Sequence, residues 1–343
     1  MEVVSSLGHR HCFVRGHNSD NAIFLPASIR SHVLFTGGQN YAKYYIMSET
    51  NVLSALRVPY RAVRTLGGRY LKRPLLETYA DWSDKPLKGS LFGKLAPLVP
   101  PLRLMHDGIA DYHAFKANGE EFARILKEKC GLLPSHRMLD IGCGIGRKTL
   151  PLLTYLDPAQ GRYEGVDIFK SGIEWCQKRI TPRFSNFHFQ LMDVYNGVYN
   201  PESIVKARDY RFPFADNSFD IILLGSVFTH TLMEDTLNYL SEIARMLKPG
   251  GRSLISYFLS NAESEGLIAQ GKSEHAFIYS LGPCKVTDPN SPEAAVSYRE
   301  EDIVAAYRER ALEIEGGIQY GSWCGRKQFL SFQDLIIGRK LNR

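Results

Sequence analysis

Apolar and polar positions along this chain follow two alternating periods, most cleanly in its middle third. Met138 to Ile141 is an apolar run of buried-strand length. Gly142, Gly144 and Gly146 follow at every second position, and Lys148 to Leu156 then reads as helical, opposed only by Pro151. Tyr163 to Ile168 predicts a second strand and Phe169 to Ile180 a helix. Asn186 to Asp193 alternates, with Phe187, Phe189 and Leu191 on one face. Ile221 to Leu224 is a further buried strand. Asp235 to Leu247 predicts a helix, with Leu237, Leu240, Ile243, Ala244 and Leu247 on its core face. Ser253 to Leu259 completes a fifth strand. Strands alternating with helices predict an α/β fold with a mostly parallel, doubly wound sheet.

The flanks are less regular. Gly119 to Lys129 predicts a helix, with Gly131 as its stop. Glu301 to Ala311 is helical. Leu312 to Tyr320 and Gln328 to Gly338 read as the last two strands, joined by the hairpin-like Gly321 to Arg326. Residues 260 to 300 show little periodicity and contain Pro283, Pro289 and Pro292. From Asn51 a helical pattern sets Val52, Leu56, Val63 and Leu66 on one side and Arg57, Arg61 and Arg64 on another, interrupted by Pro59 and Gly67-Gly68. Leu95 to Pro101 reads as a linker. Residues 1 to 46 show no sustained period and are expected to be a poorly structured extension. Met47-Ser-Glu-Thr looks like a protein start, so an overlong gene prediction would account for them. Three segments result: the extension 1–46, a helical cap region 47–131, and a catalytic domain 132–343.

The glycine turn carries the chemistry. A strand, a glycine turn and a helix together place a helix N-terminus beside a ligand. The spacing is Gly-x-Gly-x-Gly, where dinucleotide binders use Gly-x-Gly-x-x-Gly. Asp140 stands two residues before the first glycine. A carboxylate there repels a pyrophosphate and suits a ligand bearing an ammonium and a sulfonium. Asp167 lies 21 positions after Gly146, where doubly wound folds place the acid that accepts ribose hydroxyls. Asp193 closes the next predicted strand.

This ordered set resembles the class I S-adenosylmethionine (SAM)-dependent methyltransferases, over about Leu132 to Lys340. Phe212-Pro-Phe-Ala-Asp-Asn-Ser-Phe-Asp220 before the fourth strand and Leu247-Lys-Pro-Gly-Gly251 after the next helix extend the likeness. The resemblance implies a seven-stranded sheet with an antiparallel last strand, preceded by an N-terminal helical extension. It also implies SAM as cofactor, held by Asp140, Gly142, Cys143, Gly144, Gly146, Asp167, Ile168, Asp193, Val194, Gly225 and Ser226. Asp167 would take the ribose and Asp193 the adenine amino group. Residues 260–310 become a substrate-covering insertion.

Composition narrows the setting. The chain has 343 residues, 44% of them apolar, and no run long enough to span a membrane. The six cysteines are scattered without a Cys-x-x-Cys, so a reducing cytoplasm is expected. His9, His11, Cys12 and His17 lack a second ligand pair at zinc spacing, and no metal is expected. Of the net charge of +6, most falls between Met47 and Pro100, where nine Lys/Arg face four acids. That stretch suits peripheral contact with an anionic membrane through 51–73, or a solvated helix face packed over the core.

A methyl sulfonium is already activated, so the protein must align a nucleophile, exclude water and, for a hydroxyl acceptor, remove a proton. His230, just past the fourth strand, is the candidate base; a helix-capping or cofactor-packing role is the alternative. Tyr195-Asn196 and Tyr199-Asn200 in the preceding loop are candidate substrate contacts. No Asn/Asp-Pro-Pro-Tyr/Phe, glutamate pair or cysteine follows the fourth strand. By elimination the acceptor is a hydroxyl of a small molecule, glycan or lipid. The alternatives are an RNA-directed methyltransferase, supported only by the basic stretch, and a SAM-binding regulator without catalysis. A NAD-dependent oxidoreductase is disfavoured by the glycine spacing.

Overall fold

The computed structural model describes residues 112–342, together with Leu98, Pro100, Pro101, Leu104, Met105 and the backbone of four short N-terminal strands. The chain divides into two compact units, Met1–Leu76 and Glu77–Arg343. In the first, β1 (His11–Val14) pairs antiparallel with β2 (Ile23–Pro26), and β3 (Val33–Leu34) with β4 (Tyr45–Ile46). The side chains of His9, His11, Cys12 and His17 and the basic stretch 47–97 fall outside the described residues.

Among the described residues of the second unit, the first helix is α1 (Tyr112–Glu128). Then come β5 (Arg137–Ile141), β6 (Arg162–Asp167), helix α2 (Lys170–Arg179) and β7 (Phe187–Leu191). β8 (Phe219–Leu224), helix α3 (Met233–Met246) and β9 (Leu247–Tyr257) follow. A second group comprises β10 (Leu259–Ser260), helix α4 (Ala262–Ala269), β11 (Tyr279–Leu281), β12 (Cys284–Val286) and β13 (Val296–Arg299). Helix α5 (Glu300–Glu309), β14 (Leu312–Ile314) and β15 (Asp334–Lys340) close the chain.

The main sheet has seven strands in the order β14-β15-β9-β8-β5-β6-β7. β7, β6, β5, β8 and β9 are parallel, and β15 runs antiparallel between β9 and β14. Strand alternation assigns the two faces. Ile221 and Leu223 join a core that includes Phe122, Ile125 and Leu126 of α1 and Ile173 and Cys176 of α2. Ile222 and Leu224 join the opposite core, with Leu240 and Ile243 of α3 and Ile303 and Tyr307 of α5. Burial on both faces explains the near-continuous apolar runs of β5 and β8.

Four expectations need correction. The helix over Lys148 to Leu156 is a series of turns with one 3₁₀ turn, Leu150–Leu152. Pro151 explains this: it has no N–H to give and its ring crowds the carbonyl four residues earlier. The fifth strand is longer than Ser253 to Leu259 and starts at Leu247. The insertion after it is a small sheet, ordered β10-β13-β12-β11, beside a helix whose Asn261 and Ser264 form a reciprocal N-terminal cap. The last two strands are shorter than read, and the join between them is no hairpin. Residues 315–333 fold inward instead, burying Trp323 and Arg326.

Candidate active site

Three strand ends converge on the glycine turn. The N–H groups of Gly142 and Cys143 donate to the Val166 carbonyl at 2.8 and 3.2 Å, tying the turn to β6. Gly142 has φ +80°, and a Cβ there would collide with Cγ2 of Val227 beyond β8. Only glycine satisfies both demands. Asp167 closes β6. Its Oδ2 accepts from Gly144 N at 2.6 Å and its Oδ1 from Phe169 N at 2.7 Å. The carboxylate therefore braces the turn that it faces.

Asp140 sits inside β5 and is fully buried. The Tyr163 hydroxyl donates to its Oδ2 at 2.7 Å, and Oδ1 has no hydrogen-bond partner. Burial pushes this carboxyl above its ordinary range, opposed by the charges of Lys148 and Arg147 and by the Tyr163 bond. An orphaned buried oxygen beside a glycine turn is the feature a positively charged ligand group would satisfy. The residues present fit SAM on that ground. Cys143 is buried, and desolvation with the nearby Asp167 holds its thiol well above the usual range. It fills space and is no nucleophile.

The other expected cofactor contacts are placed unevenly. Asp193 lies two residues past the end of β7 and is exposed, with Asn200 Nδ2 3.4 Å from its Oδ1. Ile168 is half-buried and Val194 buried. Gly225 and Ser226 follow β8. Ser226 adopts φ +65°, its N–H donates to Ser256 Oγ at 2.7 Å, and its hydroxyl donates to Gln333 at 3.0 Å. Of the three acids, Asp140 and Asp167 are buried and Asp193 is exposed.

His230 ends a 3₁₀ turn, Phe228–His230, after β8. Its Nδ1 lies 3.0 Å from the carbonyl oxygen of Glu293. A carbonyl only accepts, so Nδ1 carries the proton and the neutral ring has its lone pair on Nε2. The Tyr199 ring packs edge-on against His230 at 5.3 Å, and Asn196 Nδ2 donates to the His230 carbonyl at 2.8 Å. Glu293 reaches back with its side chain to accept from Gly197 N. Burial raises its carboxyl and Asp235 adds to the rise, against the Gly197 bond and Lys206. Behind the turn, the buried Tyr298 hydroxyl lies 2.5 and 2.6 Å from the carbonyls of Phe228 and Thr231. Sequence reasoning missed Lys148, Glu293, Tyr298 and Gln333. A lysine inside a glycine turn was the one visible signal; the other three come from distant segments.

Residues 139–255 match the family model described as a methyltransferase domain. The match spans β5 to β9 and includes the glycine turn and the ends of β6 and β8. The chain thus contains a methyltransferase domain. Its methyltransferase domain takes SAM as methyl donor. Among curated relatives, it is 27% identical over 218 residues to phthiotriol/phenolphthiotriol dimycocerosates methyltransferase 1 of Mycobacterium ulcerans, covering 62% of this chain and 63% of that one. It is 30% identical over 132 residues to a tRNA N(3)-cytidine methyltransferase of Gallus gallus, covering 36% and 31%. The chain thus spans less than two thirds of the length of these methyltransferases. A Burkholderia thailandensis 1,6-didemethyltoxoflavin-N1-methyltransferase structure is similar, with 17% identity and TM-score 0.41, covering 85% of this chain and 94% of that one. Among the described residues, no helix is long and apolar enough to cross a membrane.

Proposed function

We propose that this methyltransferase acts on a hydroxyl of a small, largely apolar acceptor or lipid, with His230 as general base. The observation that carries the proposal is the bond from His230 Nδ1 to the Glu293 carbonyl. It fixes the ring orientation and puts the basic lone pair on Nε2. Bound SAM supplies a methyl group already activated on a sulfonium. Gly142, Cys143, Gly144 and Gly146 receive its methionine end, with Gly225 and Ser226 across from them. Asp167 and Ile168 take the ribose, and Asp193 and Val194 the adenine. Nε2 of His230 takes the acceptor proton as the oxygen attacks.

The loop beside His230 favours an apolar acceptor over a glycan. Val198, Tyr199, Ile204 and Val205 are all exposed, Ile204 by 90%. Tyr199 touches the His230 ring, and Tyr195 N donates to the Val205 carbonyl at 2.7 Å, so the apolar group belongs to the rim of the same site. Large apolar side chains clustered in solvent mark a binding surface.

The test is incubation with methyl-labelled SAM and fractionated cell extract. Label in the organic-solvent phase, held as a methyl ether, supports the proposal; a methyl ester points to a carboxylate acceptor and overturns it. Label in RNA moves the assignment to an RNA acceptor, with strongly salt-dependent binding. No label in any fraction, with SAM bound, leaves a cofactor-binding regulator.

A further inference from the structure

Ser226, the second residue after β8, holds φ +65° although it is not a glycine. Two bonds keep it there. Its N–H donates to Ser256 Oγ on β9 at 2.7 Å, and its hydroxyl donates to Gln333 Oε1 at 3.0 Å. A left-handed serine is costly, persists only where its surroundings fix it, and is a feature of functional sites. Gln333 comes from far along the chain. It immediately precedes β15, whose first residue, Asp334, is paired with Tyr257 at the end of β9. It therefore stands at the carboxyl edge of the parallel strands, where open α/β sheets bind ligands. Ser226 leads directly into the turn of His230, whose N–H donates to the Val227 carbonyl at 2.9 Å.

The tie to Ser226 uses one end of the Gln333 amide. Among the described residues, its Nε2 makes no hydrogen bond, and the residue is half-buried. A terminal amide nitrogen carries two donors, so Gln333 can hold Ser226 and still donate to a ligand. A tie alone would need only an acceptor oxygen.

Phe332 supplies an apolar surface beside it. Ile255, Tyr257 and Leu259 pack in the core with α3 and α5, so alternation puts Ser256 and Phe258 together on the other face. Ser256 receives the Ser226 N–H, and the Phe258 ring lies 6.3 Å from the Phe332 ring, edge-on. His275 also packs against Phe332, at 6.0 Å. Supported by this layer, Phe332 is still 38% exposed. The amide and the ring are thus anchored to neighbouring positions on one strand face. An aromatic surface with a placed polar group suits a flat aromatic ligand bearing an oxygen.

We propose that the acceptor is an aromatic compound whose ring lies against Phe332. An oxygen other than the one methylated accepts from Gln333 Nε2. The inference rests on the turn after β8 facing the acceptor, and it narrows that acceptor's class.

Titration of the full chain, saturated with S-adenosylhomocysteine and followed by ligand-observed NMR, tests this without turnover. The probes are 4-hydroxyacetophenone, with a ring and a carbonyl oxygen, 4-ethylphenol, with the ring alone, and 4-ethylcyclohexanol, with neither. The wild type should prefer the first to the second and the second to the third, each by roughly 3- to 10-fold, from one net hydrogen bond and one aromatic contact. Gln333→Glu keeps an oxygen for the Ser226 hydroxyl but loses the donor. It should lose the preference for the carbonyl and retain that for the ring. Phe332→Leu should do the opposite. Equal binding of the three probes by the wild type, or binding of none, overturns the proposal even if the variants fail to fold. A folded Gln333→Glu that keeps the carbonyl preference makes Gln333 a structural tie and overturns it as well. Ordered probe binding, with methyl label entering a nitrogen of an aromatic compound, removes the hydroxyl reading and keeps this one. Label in an aliphatic ether, with the probes bound indifferently, removes this one and keeps the hydroxyl reading.

Discussion

His230 Nδ1 and the Glu293 carbonyl oxygen, 3.0 Å apart, join the turn after β8 to the inserted sheet 63 residues further along the chain. The insertion therefore orients the His230 ring. If His230 takes the acceptor proton, His230→Ala should lower turnover by roughly 10²- to 10⁴-fold, the usual worth of a positioned acid or base. Affinity for SAM should stay unchanged, because the ring is held by the insertion and not by the glycine turn. Single-turnover rates beside calorimetric affinities separate the two effects. A loss confined to affinity would make His230 a cofactor contact.

Tyr298 acts one layer behind. Its hydroxyl reaches the carbonyls of Phe228 and Thr231 and lies 2.9 Å from Thr236 Oγ1, all buried. Tyr298→Phe keeps the ring and removes the single O–H that the two carbonyls share, which should cost about 1–3 kcal/mol. The turn carrying His230 should loosen, lowering turnover while the affinity for SAM holds. Urea midpoints and turnover measured on the same preparation check this. Unchanged turnover in a destabilised variant would show that the turn keeps its shape without Tyr298.

Much of this arrangement was legible before the structure, and the parts that were not share a cause. β5, β6 and β8 are short apolar runs followed by turn residues, and each lies within a residue or two of where the pattern put it. Burial on both faces of a parallel sheet makes such runs continuous. β11 to β13 have only three or four residues each, too short for alternation to register. The turns over 148–156 carry an amphipathic pattern that one proline overrules. Asp140, Asp167 and the glycines stand at readable spacing along two neighbouring strands and the turn between them. Glu293, Tyr298 and Gln333 do not, because their roles exist only once the chain has closed around them.

The Glu293 carboxyl gives a pH signature. Burial and the neighbouring Asp235 raise it above 4.5 in the folded protein. A raised carboxyl binds its proton more tightly when folded. Its contribution to stability is therefore full below the unfolded value and lost as pH rises through the folded one. Glu293→Gln cannot ionise and keeps an oxygen for Gly197 N. Urea midpoints of the wild type should fall relative to the variant as pH climbs from about 4 toward neutrality, other carboxylates being common to both. Parallel curves for the two proteins across that range would mean that Glu293 ionises without penalty.

Asp334 and Arg326 anchor the last loop, and their asymmetry can be measured. Asp334 is fully buried and accepts from Leu259 N at 2.8 Å, Gly321 N at 2.7 Å, Trp323 Nε1 at 2.8 Å and Arg326 Nη1 at 3.1 Å. Asp334→Ala would orphan three N–H donors and leave the buried guanidinium with the exposed Glu263 as its carboxylate partner, beside longer bonds to the Gly321 carbonyl and Asn261 Oδ1. Breaking a buried pair in this way costs about 3–5 kcal/mol. Arg326→Met removes the charge but leaves the carboxylate three neutral donors, so its cost should be smaller. The double variant should be less destabilised than the two single changes added together, since the orphaned guanidinium is then gone. Chemical denaturation of the four proteins measures the coupling. An additive result would mean that the loop is held by Trp323 packing, with the ion pair incidental to it.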